Sequence, residues 1–318
     1  MGEEQAGAAV AADARQETMA ALARMPEMRD LRPEDVQLTR LGGLTNRNYR
    51  LETPRGRYVL RIPGAGTGDY INRRNEAQAA RIAAACGVNA EVLFFDESDG
   101  VMLCRFIDGS QTMNGERFKD LGAVARAAQS LRRIHNCGKP FLSRFELFQM
   151  IDDYLDILGK KDATLPDGYH AVKQEAERVR QALAIRPLPI VPCHCDPLAE
   201  NFLDTGRQVY VIDWEYAGNN DPMWDLGDLS VEAGFGPDQD EALLEAYFAG
   251  GVPAADRGRM VLYQAMCDLL WTLWGVIQQV NQNPAEDFQA YALNRFKRCK
   301  NLMGRADFGR HLQAVIDG

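Results

Sequence analysis

A change of periodicity limits what this chain can fold into. From Asp108-Gly109 onward apolar residues recur at helical spacing, interrupted once by an apolar island over Ile190–Asp213. Before that point the texture is short strands. Val36–Leu41, Asn48–Thr53 and Tyr58–Ile62 alternate apolar and polar residues, parted by GGLTN and PRGR. An amphipathic helix over Ile71–Cys86 follows, with Ala79, Ile82, Ala83 and Cys86 on one face. Glu91–Asp96 and Val101–Phe106 then predict a hairpin turning at Ser98-Asp99-Gly100. The expected fold is α+β and bilobal. A small five-stranded antiparallel N-terminal lobe with one helix takes residues 31–107, and a larger, mostly helical C-terminal lobe takes 108–318. Residues 1–30, rich in Ala and Met, read as an N-terminal helical arm. In the second lobe Arg117–Asn136, Glu146–Leu158 and Tyr169–Ala184 read as helices, and the island as two short strands turning at Thr205-Gly206.

Charge excludes one broad class. Lys and Arg number 36 against 45 Asp and Glu, a net −9, which disfavours general binding to phosphate backbones. An anionic ligand would need a local cation or a metal. The seven cysteines form no C-x-x-C pair and read as reduced core thiols. MGEEQAGAAVAADARQ has neither the basic nor the apolar segment of a secretory signal, and no membrane-spanning segment is expected. A cytoplasmic location is the expectation.

The island carries the chemistry. It reads HCDPLAEN at 194–201 and VYVIDWE at 209–215. An Asp, an Asn five positions later and a further Asp closing an apolar strand make the set that phosphoryl transfer needs. Asp196 orients the attacking hydroxyl, while Asn201 and Asp213 are hard oxygen ligands suited to Mg²⁺. LGGLTNRNYRL at 41–51 places glycines and small polar residues, among them Gly43, Thr45 and Asn46, between two strands, where backbone N–H groups can approach phosphate oxygens.

HCDPLAEN and IDWE resemble the catalytic and metal motifs of the protein-kinase-like small-molecule kinases. That group includes choline and ethanolamine kinases and aminoglycoside phosphotransferases, and the resemblance spans roughly residues 36–280. It implies ATP and Mg²⁺ as cofactors, Asp196 as catalytic base, and Asn201 and Asp213 on the metal. Arg61 in YVLRIPG resembles the phosphate-facing position of the third strand, with Glu76 of INRRNEAQ as its ion-pair partner. Arg105-Phe106-Ile107 resembles the hinge that meets adenine through backbone groups, so Arg105 and Ile107 join the nucleotide set. Trp214 and Glu215 stand where protein kinases carry Phe and Gly, which argues against a protein substrate.

The substrate is sought in the helical lobe. Trp271 and Trp274 in CDLLWTLWGVIQQ lie three apart and project from one helix face. Two indoles with carboxylates nearby suit a quaternary ammonium, although a Trp pair also serves as core packing. Leu-Trp-x-Leu-Trp and DWEYAGNNDPMWDLGDLSVE at 213–232 are similar to choline-kinase-like blocks. By that resemblance Glu215, Tyr216 and Glu232 face the cation and Asp225 braces the catalytic loop, with His194 supporting the same loop. Leu198 departs from the polar residue that eukaryotic choline kinases tend to carry. His135 reads as packing or capping at a helix end, and His170 and His311 show no partner signal. The reading is an ATP-dependent phosphotransferase acting on the hydroxyl of a small cationic alcohol, choline before ethanolamine, thiamine or an aminoglycoside. A catalytically silent module that binds choline or a nucleotide stands as the alternative.

Overall fold

Alternation decides the first unit. In β2 (Arg47–Thr53) Tyr49 and Leu51 turn inward; in β3 (Gly56–Ile62) Tyr58, Leu60 and Ile62 do the same. Antiparallel pairing sets Tyr49 opposite Leu60 and Leu51 opposite Tyr58, so large side chains meet across the ladder. With β1 (Gln37–Arg40), β4 (Val92–Phe95) and β5 (Met102–Arg105) the sheet runs in the order β1-β2-β3-β5-β4. The computed structural model describes residues 2–42, 46–64 and 71–318, so Gly43 and Thr45 lie outside the described residues. It divides into Met1–Asp108 and Gly109–Gly318.

Residues 14–31 share the core of the sheet unit. Helix α1 (Gly2–Ala23) delivers Ala21 and Leu22, and the turns after it deliver Met25, Met28 and Leu31, into one cluster with Tyr49, Leu51, Leu60 and Leu103. Glu17 of α1 also pairs with Arg47 of β2 at 2.5 Å. Helix α2 (Arg73–Ala85) starts at Asn72, whose side chain accepts from the Asn75 N–H, and buries Ala79 and Ala83 as its pattern predicts.

In the second unit α3 (Leu121–His135) starts later than the expected Arg117, because Asp120 caps it by accepting from the Gly122 N–H at 2.9 Å. Helices α4 (Leu147–Gly159) and α5 (Tyr169–Ile185) follow. The island supplies β7 (Val191–Cys193), β8 (Phe202–Asp204) and β9 (Val209–Val211), with Gly206 at φ +78° in the turn. Three strands escape the sequence reading, which placed two around Thr205-Gly206: β7 itself, β6 (Gln111–Thr112), which pairs with β8, and β10 (Gly218–Asn220), which pairs with β7, both pairings antiparallel.

The C-terminal helices are α6 (Pro222–Glu232), α7 (Pro237–Phe248), α8 (Ala254–Val280), α9 (Phe288–Met303) and α10 (Phe308–Asp317). By length and composition α8 could cross a membrane, yet most of it is buried inside this unit, packed against α6, α9 and α10. Glycines set how near its neighbours come. A Cβ at Gly227 of α6 would lie 2.8 Å from the Met260 carbonyl oxygen, and one at Gly275 would lie 2.7 Å from the Tyr291 ring. Gly227→Ala is therefore expected to destabilise by about 1–3 kcal/mol through overpacking. Thermal melts check this, and an unchanged Tm would show that the α6–α8 contact yields.

Candidate active site

The chain around the site is bent by backbone conformation at two points, one between β7 and β8 and one just after β9. Cys195, just before Asp196, has φ +67°, and Asp213 has φ +66°. Both lie in the left-handed region that costs a non-glycine residue free energy. What holds the first bend is Asp225 of α6. Its carboxylate accepts the His194 N–H at 2.7 Å and the Cys195 N–H at 2.8 Å, and the Trp224 indole donates to the Cys195 carbonyl at 3.2 Å. His194 Nε2 donates to the Ile212 carbonyl at 2.9 Å, tying the loop to the strand that precedes Asp213.

His135, expected only to pack or cap, ends α3 and makes a specific bond. Its Nε2 lies 2.9 Å from Asp225 and its Nδ1 lies 2.8 Å from the Tyr247 hydroxyl. The carboxylate requires the proton on Nε2, so Nδ1 accepts from the tyrosine. A buried Asp225 thus receives three N–H donors, each charge-assisted.

Asn201 donates its amide N–H to the Asp196 carbonyl at 3.2 Å, which leaves the amide oxygen as its donor atom toward a cation. The Asn201 carbonyl in turn accepts the Ile212 N–H at 2.9 Å, so Asn201 and Asp213 are fixed on neighbouring backbone. An amide oxygen and a carboxylate are the hard donors that Mg²⁺ takes, and the pair fits that ion.

Asp196 is half-buried, and burial is the main cause pushing its carboxyl up to about 7. Glu232 pushes the same way, while Arg295 opposes. Asp228, fully buried, is driven well above the usual range by burial, then by Glu232 and Asp196. It accepts the Cys267 thiol at 2.9 Å.

The expected substrate residues come together in this unit. Tyr216 meets Trp271 edge-on at 5.6 Å between ring centroids, and Trp271 meets Trp274 at 6.5 Å and 88°, so the indoles form a corner. Trp274 also packs on Phe288 and Tyr291, and Trp271 is buried, so both rings carry part of the core. Glu215 is half-buried beside Tyr216. Glu232 is held by two hydrogen bonds from Arg295, at 2.5 and 2.7 Å, a partner the sequence reading lacked. The available signal was Arg295 one helical turn after Tyr291, with its guanidinium over that ring at 4.7 Å.

In the sheet unit, Arg61 and Glu76 are both buried and form an ion pair. Arg73 reaches the other Glu76 oxygen at 2.8 Å, and Arg61 also donates to the Gly100 carbonyl. Gly100 has φ +82°, and a Cβ there would meet the Arg73 guanidinium, so the hairpin turn and this pair depend on each other. Asn46 is buried next to β2. Arg105 is exposed and pairs with Glu91 at 2.7 Å, with Ile107 two residues beyond it.

The profile of the phosphotransferase enzyme family matches residues 37–263, and the chain belongs to that family. It is similar to a choline/ethanolamine kinase family protein from Mesorhizobium loti, 55% identical, with a TM-score of 0.87 over 95% of this chain and 99% of that one. Choline kinase LicA from Streptococcus pneumoniae is 27% identical, with a TM-score of 0.72 over 85% and 94%. Protein LicA of Haemophilus influenzae is 28% identical over 284 residues, 86% of this chain and 81% of that one. The fold is protein-kinase-like, and the chain is a kinase-like phosphotransferase with choline and ethanolamine kinases among its homologues.

The raised Asp196 carboxyl has a consequence for stability. A folded value above the unfolded one means that the folded chain holds the extra proton, so this group's stabilisation is lost as pH rises through about 7. In melts without nucleotide or metal, Asp196→Asn is expected to gain Tm relative to wild type between pH 5 and pH 8. A difference that does not grow with pH would contradict the assigned environment.

Proposed function

We propose that this protein transfers the γ-phosphoryl group of ATP to the hydroxyl of a small cationic alcohol, choline first among the candidates. One observation carries the reading. Asp196 and Asn201 lie on a loop braced by Asp225, Asp213 follows β9 on backbone bonded to Asn201, and all three share a unit with the Tyr216–Trp271–Trp274 corner. The similarity to choline kinase LicA supports the choice of alcohol.

In this mechanism the Asp196 carboxylate accepts the hydroxyl proton and aims the oxygen. Asp225 keeps Asp196 in place through the His194 and Cys195 amides. Asn201 and Asp213 hold Mg²⁺, which neutralises phosphate charge when bound. Arg61, oriented by Glu76, adds a fixed positive charge for the phosphates, with Gly43, Thr45, Asn46, Arg105 and Ile107 completing the nucleotide set. The indole faces of Trp271 and Trp274 take the ammonium head, with Tyr216 and Glu215 beside them. Rate enhancement then comes from positioning and electrostatics.

A parallel measurement of ATP consumption with choline, ethanolamine, thiamine and an aminoglycoside tests this. The expected result is Mg²⁺-dependent turnover that is highest with choline. Consumption with none of them would favour the silent module. Two variants separate the roles. Asp213→Asn is expected to weaken Mg-ATP binding and turnover together, whereas Asp196→Asn loses turnover and keeps Mg-ATP affinity. The reverse pattern would exchange the assignments.

The aromatic corner has its own test. A cation–π contact contributes about 0.5–2 kcal/mol, so Trp274→Leu should raise KM for choline by about two-fold to thirty-fold while Mg-ATP affinity holds. Trp274→Phe should recover part of the loss. Equal KM values with a lowered Tm would assign the ring to packing alone.

A further inference from the structure

The acidic cluster beside the indole corner is already answered by the chain's own cations. Arg295 of α9 is buried and spans Glu232 of α6 through two bonds and Asp268 of α8 at 3.3 Å, while its guanidinium covers Tyr291. Arg298 adds a second guanidinium to Asp268, with Nε 3.0 Å from Oδ2. Both oxygens of Glu232 and both of Asp268 are therefore paired, two carboxylates against two guanidinium groups. Burial keeps Asp228 toward its neutral form and adds little negative charge. The aromatic corner of Tyr216, Trp271 and Trp274 is then what meets a cation, a set that suits one positive charge.

We propose that Arg295 is a specificity-determining residue that restricts the substrate to alcohols bearing a single positive charge. The inference rests on the amino-alcohol reading above. A polycation gains attraction from each uncompensated carboxylate it meets, and the gain is largest where burial limits screening. By cancelling Glu232, Arg295 withholds that gain from a polyamine sugar. A single quaternary head, read by aromatic faces, loses little.

Calorimetric titration of the full chain with choline and with kanamycin tests the proposal, since binding is read without turnover. Wild type is expected to bind choline more tightly. Arg295→Gln leaves Glu232 uncompensated and should narrow the kanamycin-to-choline ratio of Kd values by about tenfold. Arg295→Gln/Glu232→Gln restores the charge balance and should return the ratio to within about twofold of wild type. A residue that only ties α6, α8 and α9 together would lower Tm in both variants without moving the ratio, and that result overturns the proposal. So does an equal shift in both variants, or kanamycin binding wild type more tightly than choline. If Arg295→Gln does not fold, Arg298→Gln removes a half-exposed guanidinium from the same cluster and should shift the ratio in the same direction by less. Failure of every alcohol to bind wild type overturns the amino-alcohol reading itself, whereas choline binding with an unmoved ratio overturns the role of Arg295 alone.

Discussion

The carboxylate of Asp225 is the interaction on which the site depends. It lies in the interior and takes N–H bonds from His194, Cys195 and His135. Hydrogen bonds to an ionised group contribute about 1.5–3 kcal/mol each, and a buried carboxylate without them would not be tolerated. The dependence is mutual. The amides fix the start of HCDPLAEN, and they in turn satisfy the acceptors of the buried carboxylate. Through Nδ1 of His135 the network reaches Tyr247 of α7, so catalytic geometry is tied to helix packing far from the loop in sequence.

Around that anchor the C-terminal unit is organised by α8. Gly227 and Gly275 let α6 and α9 approach it closely, and these helices bring Glu232, Asp268, Tyr291 and Arg295 into one cluster. The same face of α8 carries Trp271 and Trp274. Core packing engages both indoles: Trp271 is buried, and Trp274 lies against Phe288 and Tyr291.

How much of this was legible depends on distance along the chain. Alternation in β2 and β3 revealed the sheet because one face of each strand is buried, and period two is visible within seven residues. Gln111–Thr112, Val191–Cys193 and Gly218–Asn220 were missed because two or three residues show no period; they are strands only through backbone partners elsewhere. In the candidate site, Asp196, Asn201 and Asp213 could be singled out because their spacing is local. Arg295 meets Glu232 across 63 positions and His135 meets Asp225 across 90, and a charged residue on a helix reads as solvated surface until its partner is placed. Gly227 was silent for a similar reason, since only the approach of α8 makes its missing side chain matter.

The left-handed residues at Cys195 and Asp213 carry a wider consequence. Each such conformation stores about 1–3 kcal/mol; one sits where the chain enters the turn holding Asp196 and Asn201, the other at Asp213 itself, just past β9. Backbone pinned at these two points surrenders its conformational freedom while the protein folds, before any ligand arrives. Reactant encounter then needs to freeze only the small molecule, whose own entropy is modest. The backbone thus shifts part of the ordering cost of the reaction from each catalytic cycle to the single event of folding.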